Sequence, residues 1–270
     1  TLVMTSDVPL GAGLSSSAAI ECATVAALAD LYGLDIPKMD RAKLARVAEN
    51  QYVGAPTGLL DQAASTLCEE DSGLFLDCRT LETQQVPLPM AEQGFEMLVL
   101  DTKTPHSHVD GEYGARRASC EEASRILGVA ALRDVTDLVD ALDRLGDETL
   151  RRRVRHVVTE NERVLQAFEL AKAGDLAALA PLLDASHASM RDDYEITVPT
   201  VDLAVEAARA AGALGARMTG GGFGGCIIAL TQAGEADRIG RAVARAFADA
   251  GYGAPEWFSV TPAPGAGRLA

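Results

Sequence analysis

The stretch of sequence that decides the fold covers residues 9–19 and reads Pro9-Leu10-Gly11-Ala12-Gly13-Leu14-Ser15-Ser16-Ser17-Ala18-Ala19. Glycines let a backbone adopt positive φ and approach a ligand closely, and serines start helices. An alanine-rich apolar pattern at helical spacing continues from there to Leu31. The N-terminus of such a helix attracts anions, and its hydroxyls can bind phosphate oxygens or Mg²⁺. We therefore predict a strand over residues 2–5, a phosphate-binding loop and a helix.

This loop differs from the two common nucleotide-binding loops. No Lys follows the glycines, as a Walker loop requires, and Ser16 stands where a dinucleotide fingerprint has its third glycine. A serine N-cap after a glycine turn would explain a short Gly-x-Gly-x-x-Ser match on its own. The full stretch of residues 9–19 favours a ligand site over that structural interpretation.

Composition limits the partners of the chain. The 270 residues carry 39 acidic and 24 basic side chains, a formal charge of −15. This charge argues against nucleic acid or an anionic membrane as a partner. A phosphate ligand must then be held by local backbone dipoles and a metal ion. The five cysteines are scattered without a CxxC pair, and no apolar run is long enough to span a membrane. We expect buried thiols and a cytoplasmic location.

Two acidic residues follow the loop at positions where they could serve phosphoryl transfer. Glu49 lies near the end of a helix predicted over residues 38–52, and Asp61 in the first turn of one predicted over residues 57–68. Transfer to a hydroxyl needs a carboxylate near the attacking oxygen and a metal ion at the phosphates. Taken singly, each acid is better explained as a solvated helix residue.

The remaining pattern predicts alternating helices and strands. Strands are expected at 74–77, 85–88, 95–100, 226–230 and 258–261, and helices over most of 112–193 and at 199–211 and 235–250. The arginine-rich run 151–155 is expected on a solvated helix face paired with Glu160 and Glu162. His156 and His187 are expected at helix surfaces or caps, and Trp257 in packing near the last strand.

Residues 9–19 resemble the phosphate loop of the GHMP kinase family, Pro-x-x-x-Gly-Leu-Ser-Ser-Ser-Ala. The resemblance implies that ATP phosphates are bound by Gly11, Ala12, Gly13, Leu14, Ser15, Ser16 and Ser17. It also implies that Ser17 is a ligand of Mg²⁺. Mevalonate and homoserine kinases share this loop, so it does not select a substrate.

A second match is similar to the galactokinases within that family. Ala48-Glu49 and Gly58-Leu59-Leu60-Asp61-Gln62 keep the galactokinase pattern, with Asp61 twelve positions after Glu49. The resemblance implies that Glu49 is the second Mg²⁺ ligand and that Asp61 is the base that takes the proton of the anomeric hydroxyl. It further implies that Gly58 binds the sugar through its backbone.

Two later stretches extend the resemblance. Residues 106–121 are similar to the galactokinase segment in which a tyrosine, here Tyr113, binds the sugar. An alternative for His106-x-His108-x-Asp110 is a metal site, because alternate residues of a strand share a face. Residues 215–225 contain six glycines, which favours close approach to a ligand over a structural hairpin. They look like the family's third motif, which closes over the nucleotide phosphates and the sugar.

The resemblance implies an α+β chain with the two-lobed GHMP kinase fold: a ribosomal-S5-like first lobe over residues 1–92 and a ferredoxin-like second lobe over residues 93–270. It implies a monomeric enzyme for galactose and ATP. The family's first motif, Gly-Arg-x-Asn-Leu-Ile-Gly-Glu-His-Thr-Asp-Tyr, has no match here. We therefore expect an incomplete first lobe and a chain that is inactive as written. A non-catalytic sugar and ATP sensor, or a kinase for another hexose such as N-acetylgalactosamine, is the alternative.

Overall fold

The computed structural model describes residues 2–55, 57–104 and 109–268, and for residues 109 and 110 the backbone alone. The chain divides into two compact units, one formed by Thr1–Gln93 with Thr261–Ala270 and the other by Gly94–Val260. The lobes predicted as residues 1–92 and 93–270 stay a prediction. Within the described ranges, no helix combines the length and the apolar character that crossing a membrane requires.

Three helices form the helical part of the first unit: α1 (Ser16–Leu31), α2 (Lys38–Ala48) and α3 (Leu60–Leu67). A π-helix, Glu49–Val53, continues α2 and ends at Gly54, where φ is 83°. α1 packs against α2 and α3. The residues buried between these helices are mostly alanines: Ala18, Ala26, Ala29, Ala42, Ala45 and Ala63. Because interaxial distance depends on the side chains at the contact, alanines bring the helices close together.

A short hairpin completes the first unit. β1 (Ser72–Leu76) and β2 (Thr83–Pro87) pair antiparallel. In the turn between them, the Asp77 carboxylate accepts hydrogen bonds from the backbone N–H groups of Arg79 at 2.8 Å and Thr80 at 3.1 Å. This is the local bonding that favours Asp in turns.

The second unit is built on a four-stranded antiparallel sheet. Its strands are β3 (Phe95–Asp101), β4 (Gly215–Met218), β5 (Cys226–Gln232) and β6 (Glu256–Val260), in the order β4-β5-β3-β6. Its helices are α4 (Val109–Leu127), α5 (Leu138–Arg144), α6 (Glu148–Lys172), α7 (Ala180–Ser189), α8 (Pro199–Ala210) and α9 (Ala236–Asp249). A second π-helix, Met190–Tyr194, continues α7.

The core of the second unit lies between this sheet and α8 and α9. The two helices contact each other; α8 contacts β4 and β5, and α9 contacts β3 and β6. They therefore cover one face of the sheet. Leu100, Ile227 and Phe247 are fully buried there. Trp257 of β6 packs against Gly240 of α9, where an added Cβ would overlap the indole ring, so its predicted packing role is confirmed.

Two expectations about local structure are wrong. Residues 2–5 form no strand. A strand must pair its backbone groups with a neighbour, and in the part of the chain that is described no segment pairs with these residues. Among the cysteines, Cys22 and Cys226 are buried as expected, but Cys78 is exposed because it follows β1 into the hairpin turn.

The arginine run of α6 and the two histidines are also placed differently from the prediction. Arg153 is buried, and the carboxylates of Asp193 and Glu195 bind three arginines of the run, Arg152, Arg153 and Arg155. Arg151 pairs with Glu148 of its own helix, at 3.5 Å, rather than with Glu160 or Glu162. His156 and His187 are buried as well. The reason is tertiary, because α7 and the second π-helix pack against α6 and cover Arg153 and His156. His187 lies on α7 and accepts a hydrogen bond from the Met218 N–H of β4 at 3.3 Å.

Gly215, at the start of β4, gives a test of this packing. An added Cβ would overlap the backbone of Ala180 in α7, and backbone cannot turn aside as a side chain can. We expect Gly215→Ala to lower the free energy of unfolding by about 1–3 kcal/mol in urea denaturation. Gly146→Ala is the control, because an added Cβ there meets nothing within 4 Å. Equal effects of the two substitutions would contradict the packing.

Candidate active site

The predicted phosphate loop leads into the N-terminus of α1. Gly11 and Gly13 have φ angles of 71° and 74°, and Ser15 lies at 55°. The Ser15 side chain forms no capping hydrogen bond, and the first turn of α1 contains no acidic residue. The positive end of the helix dipole is thus not neutralised by its own first turn, which suits an anion. The role of residues 11–17 in binding ATP phosphates stays a prediction.

The two predicted Mg²⁺ ligands come from different helices of the first unit. Ser17 is exposed in the first turn of α1. Glu49 begins the π-helix, and it is only 6% exposed, with its Oε2 atom buried and without a hydrogen-bond partner. A buried carboxylate oxygen without a partner is costly, and a cation with a preference for oxygen ligands offsets that cost. The donors present therefore fit Mg²⁺.

Glu21 and Gln62 also belong to this cluster. The sequence assigned no role to either residue, although Gln62 lies within the galactokinase pattern. The Gln62 amide, 1% exposed, donates from Nε2 to Glu21 Oε2 at 3.4 Å. Burial, together with hydrogen bonding between the Glu21 and Glu49 carboxyl groups, raises the pKa of Glu21 to about 7. For Glu21 the sequence did contain a signal, its spacing from Ser17. Glu21 lies four positions after Ser17 and therefore on the same face of α1.

The predicted base, Asp61, lies in the first turn of α3 with an exposed side chain. It directly precedes Gln62, so the exposed acid and the buried amide are carried by the same turn. A carboxylate in the first turn of a helix is favourably placed with respect to the helix dipole. Gly58, two residues ahead of α3, is exposed, and its surroundings are open enough that an added Cβ would meet nothing within 4 Å.

A side-chain bridge holds the segment between the π-helix and α3. Asn50 Oδ1 accepts from the backbone N–H of Thr57 at 3.1 Å and from its hydroxyl at 3.2 Å, and Asn50 Nδ2 donates to the Thr57 carbonyl at 3.3 Å. Asn50 follows Glu49, and Thr57 precedes Gly58. The bridge therefore ties the residue after the predicted metal ligand to the residue before the predicted sugar-binding Gly58.

In the second unit, Tyr113 lies on α4 and is 41% exposed. His106 and His108 fall outside the described residues, so their alternative role as metal ligands is untested. Within the described ranges, no group of three or more His, Cys, Asp or Glu side chains is arranged to hold a metal ion.

The glycine-rich stretch forms a tight loop between β4 and β5. The Thr219 N–H donates to the Cys226 carbonyl at 3.0 Å across its base. Gly220, Gly222, Gly224 and Gly225 have positive φ angles. Packing within the protein requires glycine at position 222, because an added Cβ would stand 2.6 Å from the Ile196 carbonyl oxygen. Gly221 has open space around it.

Two GHMP kinase family models match the chain. The model described as "GHMP kinases N terminal domain" covers residues 1–69, and "GHMP kinases C terminal" covers residues 167–249. A galactokinase of Streptomyces coelicolor is 52% identical over 269 residues, which span 98% of this chain and 70% of that protein. The chain belongs to the galactokinases of the GHMP kinase family.

Further galactokinases extend the likeness. That of Mycobacterium tuberculosis is 46% identical over 264 residues, 97% of this chain and 73% of that protein. The crystal structure of Lactococcus lactis galactokinase complexed with galactose matches with a TM-score of 0.91 at 35% identity, covering 97% of this chain and 69% of that one. The predicted fold class, α+β with the two-lobed GHMP kinase fold, is confirmed. Because the chain belongs to the galactokinases, it is a kinase chain.

Glu49→Gln tests the metal site because it keeps the size of the side chain and removes its charge. Without Mg²⁺, we expect the melting temperature to rise by about 2–4 °C, since a buried charge beside Glu21 is lost. The further rise that MgATP produces over ATP with EDTA in the unaltered protein should be absent. Differential scanning fluorimetry measures both effects.

The control for this test is Glu82→Gln, which changes an exposed acid in the hairpin turn of the same unit. This variant should keep the melting temperature and the response to MgATP of the unaltered protein. A full MgATP response in Glu49→Gln would contradict the site.

Proposed function

We propose that the protein transfers the γ-phosphoryl group of ATP to the anomeric hydroxyl of galactose, giving galactose 1-phosphate and ADP. The identity of 52% to a galactokinase supports this activity. The observation that carries it is the helix cluster of the first unit, in which a buried carboxylate with an unpaired oxygen, Glu49, accompanies an exposed acid, Asp61. A buried acid with an unpaired oxygen suits the binding of a cation, and an exposed acid suits the acceptance of a proton from a substrate.

The residues divide the work of this reaction. The loop of residues 11–17 binds the phosphates through N–H groups at the N-terminus of α1, whose dipole favours anions. Ser17 and Glu49 would hold Mg²⁺, which would supply positive charge to offset that of the phosphates. Asp61 accepts the proton of the anomeric hydroxyl as its oxygen forms a bond to the γ-phosphorus. The bond from that phosphorus to the oxygen it shares with the β-phosphorus breaks, and ADP leaves.

Three residues are proposed to bind the sugar: Gly58 through its backbone, Asp61 through its carboxylate and Tyr113 through its hydroxyl. We also propose that the protein acts as a monomer in the cytoplasm. Its charge of −15 supports the absence of nucleic acid among its partners.

Asp61→Asn tests the proposed base. The amide cannot accept the hydroxyl proton, so turnover should fall by about 10²–10⁴-fold while KM for ATP stays within a few fold. Galactose-dependent ADP release by the protein expressed from its complete gene measures this. The matched control is Asp40→Asn, which changes an exposed acid in the first turn of α2 and should keep turnover. Near-normal turnover in Asp61→Asn would exclude the assignment.

The same assay distinguishes the alternative functions. Phosphorylation of galactose in preference to N-acetylgalactosamine is the expected result. Preference for N-acetylgalactosamine would keep the mechanism and change the substrate. Tight binding of galactose and ATP without ADP release would favour a sensor over an enzyme.

A further inference from the structure

Arg116 of α4 makes an unusual set of contacts for a helix residue. Its Nε atom donates to the Tyr194 carbonyl at 2.8 Å and its Nη2 atom to the Glu195 carbonyl at 2.7 Å. Its Nη1 atom pairs with the Glu112 carboxylate at 3.2 Å. The side chain is 16% exposed. Both backbone bonds reach a segment far along the chain, at the end of the second π-helix.

The segment at Tyr194 and Glu195 has features that a positively charged hydrogen-bond donor stabilises. Glu195 ends the π-helix at φ 55° and ψ 51°, a left-handed conformation that costs a non-glycine residue free energy. The last carbonyl groups of a helix lack partners within it and carry the negative end of its dipole. Arg116 supplies two donors and a positive charge at this end. The Glu195 carboxylate is held as well, by Arg152 at 2.9 Å and Arg153 at 2.6 Å.

The next residue, Ile196, joins this segment to the glycine-rich loop. Its carbonyl accepts the Phe223 N–H at 2.7 Å. Gly222 approaches it so closely that an added Cβ would stand 2.8 Å from Ile196 Cβ. The Arg116 guanidinium carbon also lies 5.6 Å from the centroid of the Phe223 ring, within the range of a cation–π contact. Arg116 therefore touches both the loop and the segment on which the loop rests.

We propose that Arg116 is a positioning residue that sets the conformation of the loop of residues 219–225. The proposal rests on the proposed function, because residues 219–225 belong to the stretch that looks like the third motif of the kinase family. Phe223 itself has a φ of 62°, so the loop contains a non-glycine left-handed residue, as the neighbouring segment does at Glu195. Such a conformation persists where the surroundings impose it. A planar guanidinium that binds two successive carbonyls and lies beside the Phe223 ring can impose it, whereas an ammonium group cannot form the same fork.

The test uses Arg116→Gln and Arg116→Lys in the protein expressed from its complete gene. The control is Arg117→Gln, because Arg117 is the next residue of the same helix, is 65% exposed and pairs with Glu121 at 2.8 Å. Hydrogen exchange of residues 219–225, measured without ligand, should quicken at least about tenfold in Arg116→Gln and remain unchanged in Arg117→Gln. Arg116→Lys should lie between them, since it keeps the charge and loses the fork.

Kinetics provide the second measurement. Loss of loop positioning should lower kcat/KM by about 10²-fold in Arg116→Gln, with a larger effect on kcat than on KM for galactose. Unchanged loop exchange would overturn the proposal. Exchange that quickens equally across the second unit would overturn it too, because it indicates a loss of general stability alone.

Should Arg116→Gln fail to fold, Arg116→Lys and Phe223→Leu decide the question by the same exchange measurement. Each should quicken exchange in residues 219–225 more than in α9, and equal rates in both regions would overturn the proposal. The exchange result does not require activity. If the unaltered protein releases no ADP with galactose, the proposed function fails while the exchange measurement still decides the role of Arg116.

Discussion

The carboxylate of Glu49, buried with one oxygen unpaired, is the constraint around which the first unit is built. Burying such a group costs several kcal/mol unless a charge or hydrogen bond compensates it. Buried alanines lie in α1, α2 and α3, which pack against one another around this group. Glu21 hydrogen-bonds to the Glu49 carboxyl group and accepts the Gln62 amide. The proposed Mg²⁺ would compensate the unpaired oxygen of Glu49, so on this proposal stability and cation binding are coupled in one cluster.

Both units place a π-helix next to a proposed functional segment. Glu49–Val53 precedes the loop that contains Gly58, and Met190–Tyr194 precedes the residues on which the loop 219–225 rests. π-helical turns are frequent at functional sites. Each π-helix ends at a residue with left-handed backbone angles, but this conformation is stabilised differently in the two cases. Gly54 adopts this conformation without a Cβ to strain, whereas Glu195 is held there by arginines from α4 and α6.

Prediction from the sequence succeeded for the elements that local residue patterns decide. The helix 16–31, the strand 95–101 and the amphipathic helix 236–249 follow local periodicity, and the structure has them within a residue or two of the sequence expectation. β4 was hidden in the glycine-rich stretch, because four residues give too little alternation to reveal a strand. The arginines of 151–155 show the same limit, since a charged helix face looks solvated until another element is known to cover it.

For the candidate site, the sequence alone indicated the candidate phosphate loop, the two acids Glu49 and Asp61, the glycine-rich third motif and the family to which they point. These motifs are short and nearly contiguous, so a family resemblance can be recognised from them, and the roles of the two acids are what that resemblance implies. The tertiary structure decided which acids are buried, that Glu21 and Gln62 join Glu49, and that Arg116 reaches the segment beneath the glycine loop. Burial and partnership depend on residues distant in the chain, and no local pattern encodes them.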